Sequence, residues 1–308
     1  MSDAATGATH DPADAATDRP RGGIDVFDSL LVRQPVRPGE TGAVRDLIAE
    51  WAREHSDGDA RTLLPVAGVN LVTLFLDRGG FGVGGPGGDA GSGEDALVWY
   101  VEVADDDDGP WTDPGAAVRG SPLFAAGLEG LLEDSGTVYA DGRDGCRLVT
   151  HATNPHRSER YVEAVGPPLV APVAGEELPV PVVVVSVPLR PGLRSRVVAR
   201  LVDVGNWLKR FGRVHAWLRD QTDTLEAEAM YTESLLLEPV GNRLVLHYYM
   251  EAEDMDRLYE AYEASDNWEV RFSDWAMRRV FEDPGEVLTP PLESDCEVLV
   301  HAVDPDRP

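Results

Sequence analysis

Lysine is nearly missing from this chain. Lys209 is the only one, and the 27 basic residues face 55 acidic ones, for a net charge of -28. No basic stripe exists to displace counterions from a phosphate backbone, which argues against nucleic acid as a partner. Cysteine is equally scarce. Cys146 and Cys296 make neither a disulfide framework nor a cysteine zinc cage, and a reducing cytoplasm keeps them as thiols. Long apolar runs are absent. The best of them, 178–189, is short and broken by prolines, so no membrane-spanning helix and no membrane partner are expected. The N-terminal stretch MSDAATGATHDPADAATDRP is acidic and has no apolar core, unlike a signal peptide. A soluble cytoplasmic protein is expected.

The acidic residues are dispersed rather than gathered in one tail. That distribution reads as a solvated carboxylate surface of a protein from a salt-loving organism, where salt screens self-repulsion. A specific cationic partner is the rival reading. A chain of 308 residues is long enough for one large or two small domains with a substantial core. Residues 1–24 hold almost nothing to bury and read as a disordered acidic tail, with His10 inert.

Strand patterns fall at 29–36, 69–77, 96–104, 146–153, 182–189, 230–238, 244–252 and 296–303. A helix after 39 carries Val44, Ile48 and Trp51 on one stripe, with His55 near its end, where a cation suits the helix dipole. A short helix is expected at 122–133. After 192 a longer seam repeats Val197, Leu201, Val204, Leu208, Phe211, His215 and Leu218. Further helices are expected at 254–264 and beyond a capping box of Asp266 and Glu269. The glycine-rich 78–95 reads as a hairpin tip, since no helix follows to complete a phosphate cradle. The acidic run 105–108 lacks the alternating ligands of a calcium hand. The Pro/Gly-rich 158–181 reads as a linker or a segment lying on the surface.

The stretch 229–266 organises the chain as strand, turn, strand and helix. A four-residue turn, Pro239 to Asn242, sets Glu238 opposite Arg243. Alternation then places Thr232, Ser234, Leu236, Val245, His247, Tyr249 and Glu251 on one face. Tyr231, Glu233, Leu235, Leu237, Leu244, Leu246, Tyr248 and Met250 take the other. Neither face is solvent-like, as expected of a sheet covered by helices on one side and by a second sheet on the other.

Four segments recur in order. VRPG at 36–39 answers LRPG at 189–192, and LVWYVEVAD at 97–105 answers LHYYMEAED at 246–254. LLEDSG at 131–136 answers VFEDPG at 280–285, and CRLVTHATNPHR at 146–157 answers CEVLVHAVDPDR at 296–307. Each half therefore reads as a β-α-β-β-α-β unit. The expected fold is α+β, two tandem ferredoxin-like repeats (25–157 and 182–308) forming one intramolecular α+β barrel whose sheets shield each other. It would be a monomer built as an internal pseudo-dimer, or a higher oligomer of that unit.

The second half resembles a haloarchaeal family of uncharacterised proteins of the dimeric α+β barrel type, related to antibiotic-biosynthesis monooxygenase domains. RPG at 190–192, MYTES at 230–234, HYYMEAED at 247–254 and EASD at 263–266 carry the resemblance. It implies a fold and little about chemistry.

Ser234 is matched by Thr73, His247 by Val98 and Glu233 by Val72, while Tyr249 and Glu251 are kept as Tyr100 and Glu102. Ionisable groups are thus richer in the second half, where any chemistry is expected. The catalytic candidates are His247, Glu233, Tyr231 and Tyr249, and the ligand-pocket candidates are Ser234, Tyr248 and Glu251. His247 beside Ser234 would be a base and hydroxyl pair without an identified acid, against a hydrogen-bonded structural histidine. Glu233 near Tyr248 would be a buried general base, against a rim carboxylate. His151 and His301 match each other, which favours a shared structural role. Three functions compete. The leading one is a barrel binding a small apolar ligand or another protein, with no cofactor or metal. The second is a cofactor-free monooxygenase or isomerase with its pocket in the second repeat. The third is a haem enzyme ligated by His215, for which no second haem signal exists.

Overall fold

The computed structural model describes residues 28–55, 69–78, 95–103, 118, 120–133, 146–154, 157, 170–172, 180–192, 225, 229–240, 243–255, 278–282, 296–304 and 307. The acidic tail, the glycine-rich tip, the 105–108 run, the seam with His215 and the capping box at Asp266 lie outside them.

Among the described residues the strands are β1 (Asp28–Pro35), β2 (Val69–Asp77), β3 (Ala96–Val103), β4 (Arg147–Thr153), β5 (Val170–Pro172), β6 (Val182–Pro188), β7 (Met230–Val240), β8 (Arg243–Ala252) and β9 (Cys296–Val303). Helix α1 spans Thr41–His55 and α2 spans Pro122–Ala125, followed by a 3-10 turn at Leu128–Leu131. The strands form two antiparallel sheets, ordered β1-β3-β2-β9-β5 and β4-β7-β8-β6. The fold is mixed α+β. Among the described residues no helix is long and apolar enough to cross a membrane.

The last strand of each half sits in the sheet of the other half. β4 pairs with β7, with His151 opposite Ser234, and β9 pairs with β2, with His301 opposite Thr73. The expectation of one self-contained sheet per half is corrected here. The physical reason is the outer edge of β2 and of β7. Both strands are buried along most of their length, and an unpaired edge there would leave buried N–H and C=O groups without partners. Segment 158–181, read as a linker, also contributes β5 to the edge of the larger sheet.

The β7–β8 register differs from expectation by two residues. Pairing runs through Pro239 and Leu244 to Val240 and Arg243, so Glu238 faces Val245. A shift of two keeps every side chain on its face, and the predicted division of residues survives with one exception. The register slips between Met230 and Thr232, and this bulge lets Tyr231 pack in the same apolar cluster as Leu236 and Tyr249.

Helix α1 covers one face of the larger sheet with Val44, Ile48, Trp51 and Ala52, all buried among Leu74, Leu76, Leu97 and Trp99. The Trp99 indole donates to Gln34 Oε1 at 2.7 Å, so its one polar atom is satisfied inside this cluster. His55 closes the helix by stacking on Trp51 at 3.9 Å between centroids, with Nδ1 bonded to the Trp51 carbonyl at 2.8 Å.

The repeated VRPG and LRPG segments have the same geometry. Val36 bridges Leu132 and Leu189 bridges Phe281. Arg37 Nε donates to the Leu132 carbonyl at 2.9 Å, and Arg190 Nε to that of Phe281 at 2.6 Å. Gly39 (φ +85°) and Gly192 (φ +118°) turn the chain in the left-handed region that a side chain resists.

The exchange makes each sheet dependent on both halves. Expressed separately, residues 25–181 and 182–308 should each fail to show a cooperative thermal transition, and mixing them should restore one. A cooperative, monomeric transition in either piece alone would contradict the exchanged topology.

Candidate functional site

The two sheets meet across a buried polar network laid out in pairs. Its centre is Tyr100 stacked on Tyr249, with centroids 3.4 Å apart and planes 10° from parallel. Each phenol reaches across to a hydroxyl of the opposite sheet, and each hydroxyl holds a histidine. Tyr100 Oη meets Ser234 Oγ at 2.7 Å, and Ser234 meets His151 Nδ1 at 2.7 Å. Tyr249 Oη meets Thr73 Oγ1 at 3.2 Å, and Thr73 meets His301 Nδ1 at 2.8 Å. Ser29 also donates to Ser234 at 3.3 Å.

Two carboxylates lie at one end of this stack. Glu102 and Glu251 are both fully buried, and Tyr249 donates to Glu251 Oε1 at 2.5 Å. Arg307 answers both. Its Nε and Nη2 bind Glu102 at 3.0 and 2.5 Å, and its Nη1 and Nη2 bind Glu251 at 2.9 and 3.2 Å. Arg157 binds Glu102 at 2.6 and 3.3 Å. Thr232 Oγ1 accepts from Arg157 at 2.9 Å and from Arg307 at 3.0 Å. A turn after each exchanged strand aims these arginines inward. Asn154 N–H donates to the Tyr231 carbonyl and Arg157 N–H to that of Asn154. Asp304 N–H likewise donates to Asn70 and Arg307 N–H to Asp304.

Two carboxylates and two guanidinium groups sum to zero, which is what allows all four to be buried together. Burial alone would push Glu102 up, but Arg157 and Arg307 hold its carboxyl well below the usual carboxylate range. Glu251 is likewise held down, against burial, by Arg307 and His301. Burial, with Arg307 next to it, lowers Arg157. Arg307 is pushed down by burial but touches both carboxylates, and it stays well above its ordinary value. Burial, reinforced by the carboxylates, raises Tyr100 and Tyr249, so both remain phenols. Burial lowers His151 and His301 to about 4, so both imidazoles are neutral at pH 7.

The sequence candidates divide between the two faces of the smaller sheet. Ser234, Tyr249 and Glu251 belong to the network. His247 shares their face but stands two positions along β8, opposite Leu236. Its hydroxyl partner is Ser186, at 2.7 Å from Nδ1, and its acid is Glu238, at 2.9 Å from Nε2. The predicted His247–Ser234 pair is therefore not formed. Ser234 is taken by His151. Glu233 and Tyr248 lie on the opposite face, where burial pushes the Glu233 carboxyl up and a hydrogen bond from Tyr248 pulls it back. Tyr231 packs at the bulge. Cys146 and Cys296 are both half-buried. Arg157 and Arg307 were not among the candidates; they stand in the sequence as the closing residues of the matched segments, and that recurrence is the signal that could have found them.

Removing Arg307 leaves Glu251 without its guanidinium partner and Glu102 with Arg157 in place of two arginines. Arg307→Met should cost about 3–5 kcal/mol in a denaturant titration, the range for breaking a buried pair from one side. Adding Glu251→Gln should return part of it, and strictly additive losses would rule out the shared clasp. Acid sensitivity has a defined sign. His301 titrates near 4 in the fold and near its ordinary 6.5 when unfolded, so the unfolded chain binds more protons between those values. Stability should be full above pH 6.5 and fall toward pH 4, with His301 contributing about 2 kcal/mol of the loss by pH 5. The lowered carboxylates add their loss only below their ordinary range. His301→Asn should flatten the pH 7 to 5 segment of the stability curve, and an unchanged slope would contradict a neutral buried imidazole.

No family model and no curated protein matches the sequence. Among solved structures, the chain is similar to one described as a "putative monooxygenase" from Fusobacterium nucleatum subsp. nucleatum. Identity is 10%, over 92% of this chain and 94% of that one, with a TM-score of 0.38. It is also similar to one described as an anthrone oxidase-like protein, at 12% identity over 90% of each chain and a TM-score of 0.32. Likeness at this level carries no argument about chemistry.

Proposed function

We propose that the chain is a binding module, a fused α+β barrel of two ferredoxin-like repeats. Its ligand is a small apolar molecule with a hydrogen-bonding group, taken on the outer face of the smaller sheet beside Glu233 and Tyr248. The carrying observation is the setting of Glu233. On that face Val183, Leu235, Leu246 and Tyr248 are half-buried apolar neighbours, and burial raises the Glu233 carboxyl above its ordinary range. A carboxyl inclined to keep its proton on an apolar surface is a hydrogen-bond donor for a carbonyl or similar acceptor.

The tandem repeat is supported by the paired bonds of Arg37 and Arg190, of Tyr100 and Tyr249, and of His151 and His301. Each has a counterpart at the matched sequence position. Tyr231, Glu233, His247 and Tyr249 are split between faces, which favours binding over a cofactor-free monooxygenase or isomerase built from those four. His215, the residue of the haem reading, lies outside the described residues.

The test is a thermal-shift screen with small apolar ketones and esters. A ligand present at a hundredfold over its Kd stabilises by about 2.7 kcal/mol, a shift of several degrees. Glu233→Ala and Tyr248→Phe should abolish that shift while leaving the unliganded melting temperature unchanged or higher. A shift that survives both substitutions, or a screen with no stabilising compound, would refute the assignment.

A further inference from the structure

We propose that Ser186, His247 and Glu238 form an acyl-transfer site on the inner face of the smaller sheet, distinct from the Glu233 face. His247 Nδ1 lies 2.7 Å from Ser186 Oγ, and Nε2 lies 2.9 Å from Glu238 Oε2, so one imidazole joins a hydroxyl to a carboxylate. This is the nucleophile, base and orienting acid of hydrolytic serine sites, recognised by role rather than by position in the chain. The ring is held the other way round from the usual arrangement, with Nδ1 toward the serine. The chemistry is unaffected, because either nitrogen accepts a proton when the other is the N–H.

Three β-strands fix the arrangement. Ser186 is opposite His247 in the β6–β8 ladder, and Glu238 on β7 lies diagonally across from it, opposite Val245. His247 is 2% exposed and Glu238 8%. Ser186 is half-buried on β6, the outermost strand of its sheet. The base is thus shielded while the hydroxyl stays reachable. Leu236, Val245 and Pro188 are its neighbours in the register, which suits a small apolar acyl group.

The larger sheet shows that the fold does not require a histidine there. The residue matching His247 is Val98, which faces Arg33 on one side and Phe75 on the other. There the polar partners are Arg33 and Asp77, bonded directly to each other at 2.5 Å. One sheet closes this position with an ion pair over a valine. The other spends a serine, a histidine and a glutamate on it.

The reaction this geometry supports is hydrolysis of a carboxylic ester. Ser186 Oγ bonds to the carbonyl carbon as its proton passes to His247 Nδ1, and Glu238 holds the Nε2–H. Collapse breaks the bond to the alcohol oxygen, which leaves with the proton from Nδ1. Water, deprotonated by the same nitrogen, then releases the acid and restores Ser186. Ser186 and His247 are the catalytic residues, and Glu238 is a positioning residue.

The experiment is labelling of the full chain with a fluorophosphonate, mapped by peptide mass spectrometry, alongside p-nitrophenyl acetate hydrolysis. Label should fall on Ser186. His247→Ala should slow labelling at least on the order of a hundredfold, the usual contribution of a general base. Glu238→Gln should slow it about tenfold, with Glu238→Asp recovering part, in proteins whose melting curves show that they remain folded. No adduct on Ser186 in the folded wild type overturns the proposal, as does equal labelling in folded His247→Ala. If His247→Ala does not fold, His247→Gln decides by the same criterion.

Discussion

Everything in this molecule turns on the meeting of Glu102 and Glu251 between two apolar sheets. Two carboxylates in a dry interior repel each other and have each lost several kcal/mol of hydration. They are tolerable only because Arg157 and Arg307 arrive with matching charge and several geometrically good bonds. Neither arginine is local to its carboxylates in sequence. Arg157 follows a strand of the first half that lies in the second sheet, and Arg307 follows a strand of the second half that lies in the first. Strand exchange and charge clasp are therefore one device. Each exchanged strand carries a cation to the seam, and each cation pins the strand that delivers it.

The clasp is not symmetrical, and its asymmetry has a simple origin. Glu251 is opposite Thr232 in its ladder, whereas Glu102 is opposite Leu71 at the matched position. Thr232 brings a hydroxyl where the matched Leu71 brings none, and both guanidinium groups donate to it. Arg157 then serves Glu102 and Thr232, while Arg307 bridges both carboxylates. Similar one-for-one exchanges run along the strands, with Val98 for His247 and Val72 for Glu233.

How much of this could be read from residues alone follows from the range of each interaction. Alternation and turn chemistry are local, so β2 and β9 were found to the residue, and the faces of β7 and β8 stood even though the turn was two residues shorter than read. Tyr100 and Tyr249, matched in the sequence, stack on each other, and the matched His151 and His301 each bond a hydroxyl of the network. Partner choice is not local. Ser234 has a histidine within reach, but it comes from β4, on the other side of β7 from β8. Strand exchange leaves the same alternation as no exchange, since period two says nothing about which edge a strand joins. The arginines escaped as site residues because a charge after a strand usually means solvent. Only their occurrence at the same place in both halves marked them otherwise.

The division of labour between the faces follows from this clasp. The inner face is densely hydrogen-bonded along the Tyr100–Tyr249 stack, and a group already bonded to buried partners gains little by turning to a ligand. The proposed sites are accordingly placed where the network thins. Along β8 it thins in the direction away from Glu251, where His247 is met by Ser186 and Glu238 instead of by the opposite sheet. Across the sheet it ends altogether, and Glu233 sits among half-buried aliphatic side chains with Tyr248 as its hydrogen-bond partner. The seam thus commits the polar groups nearest the Glu102–Glu251 clasp to joining the sheets, which is why binding and chemistry are proposed only for positions beyond it.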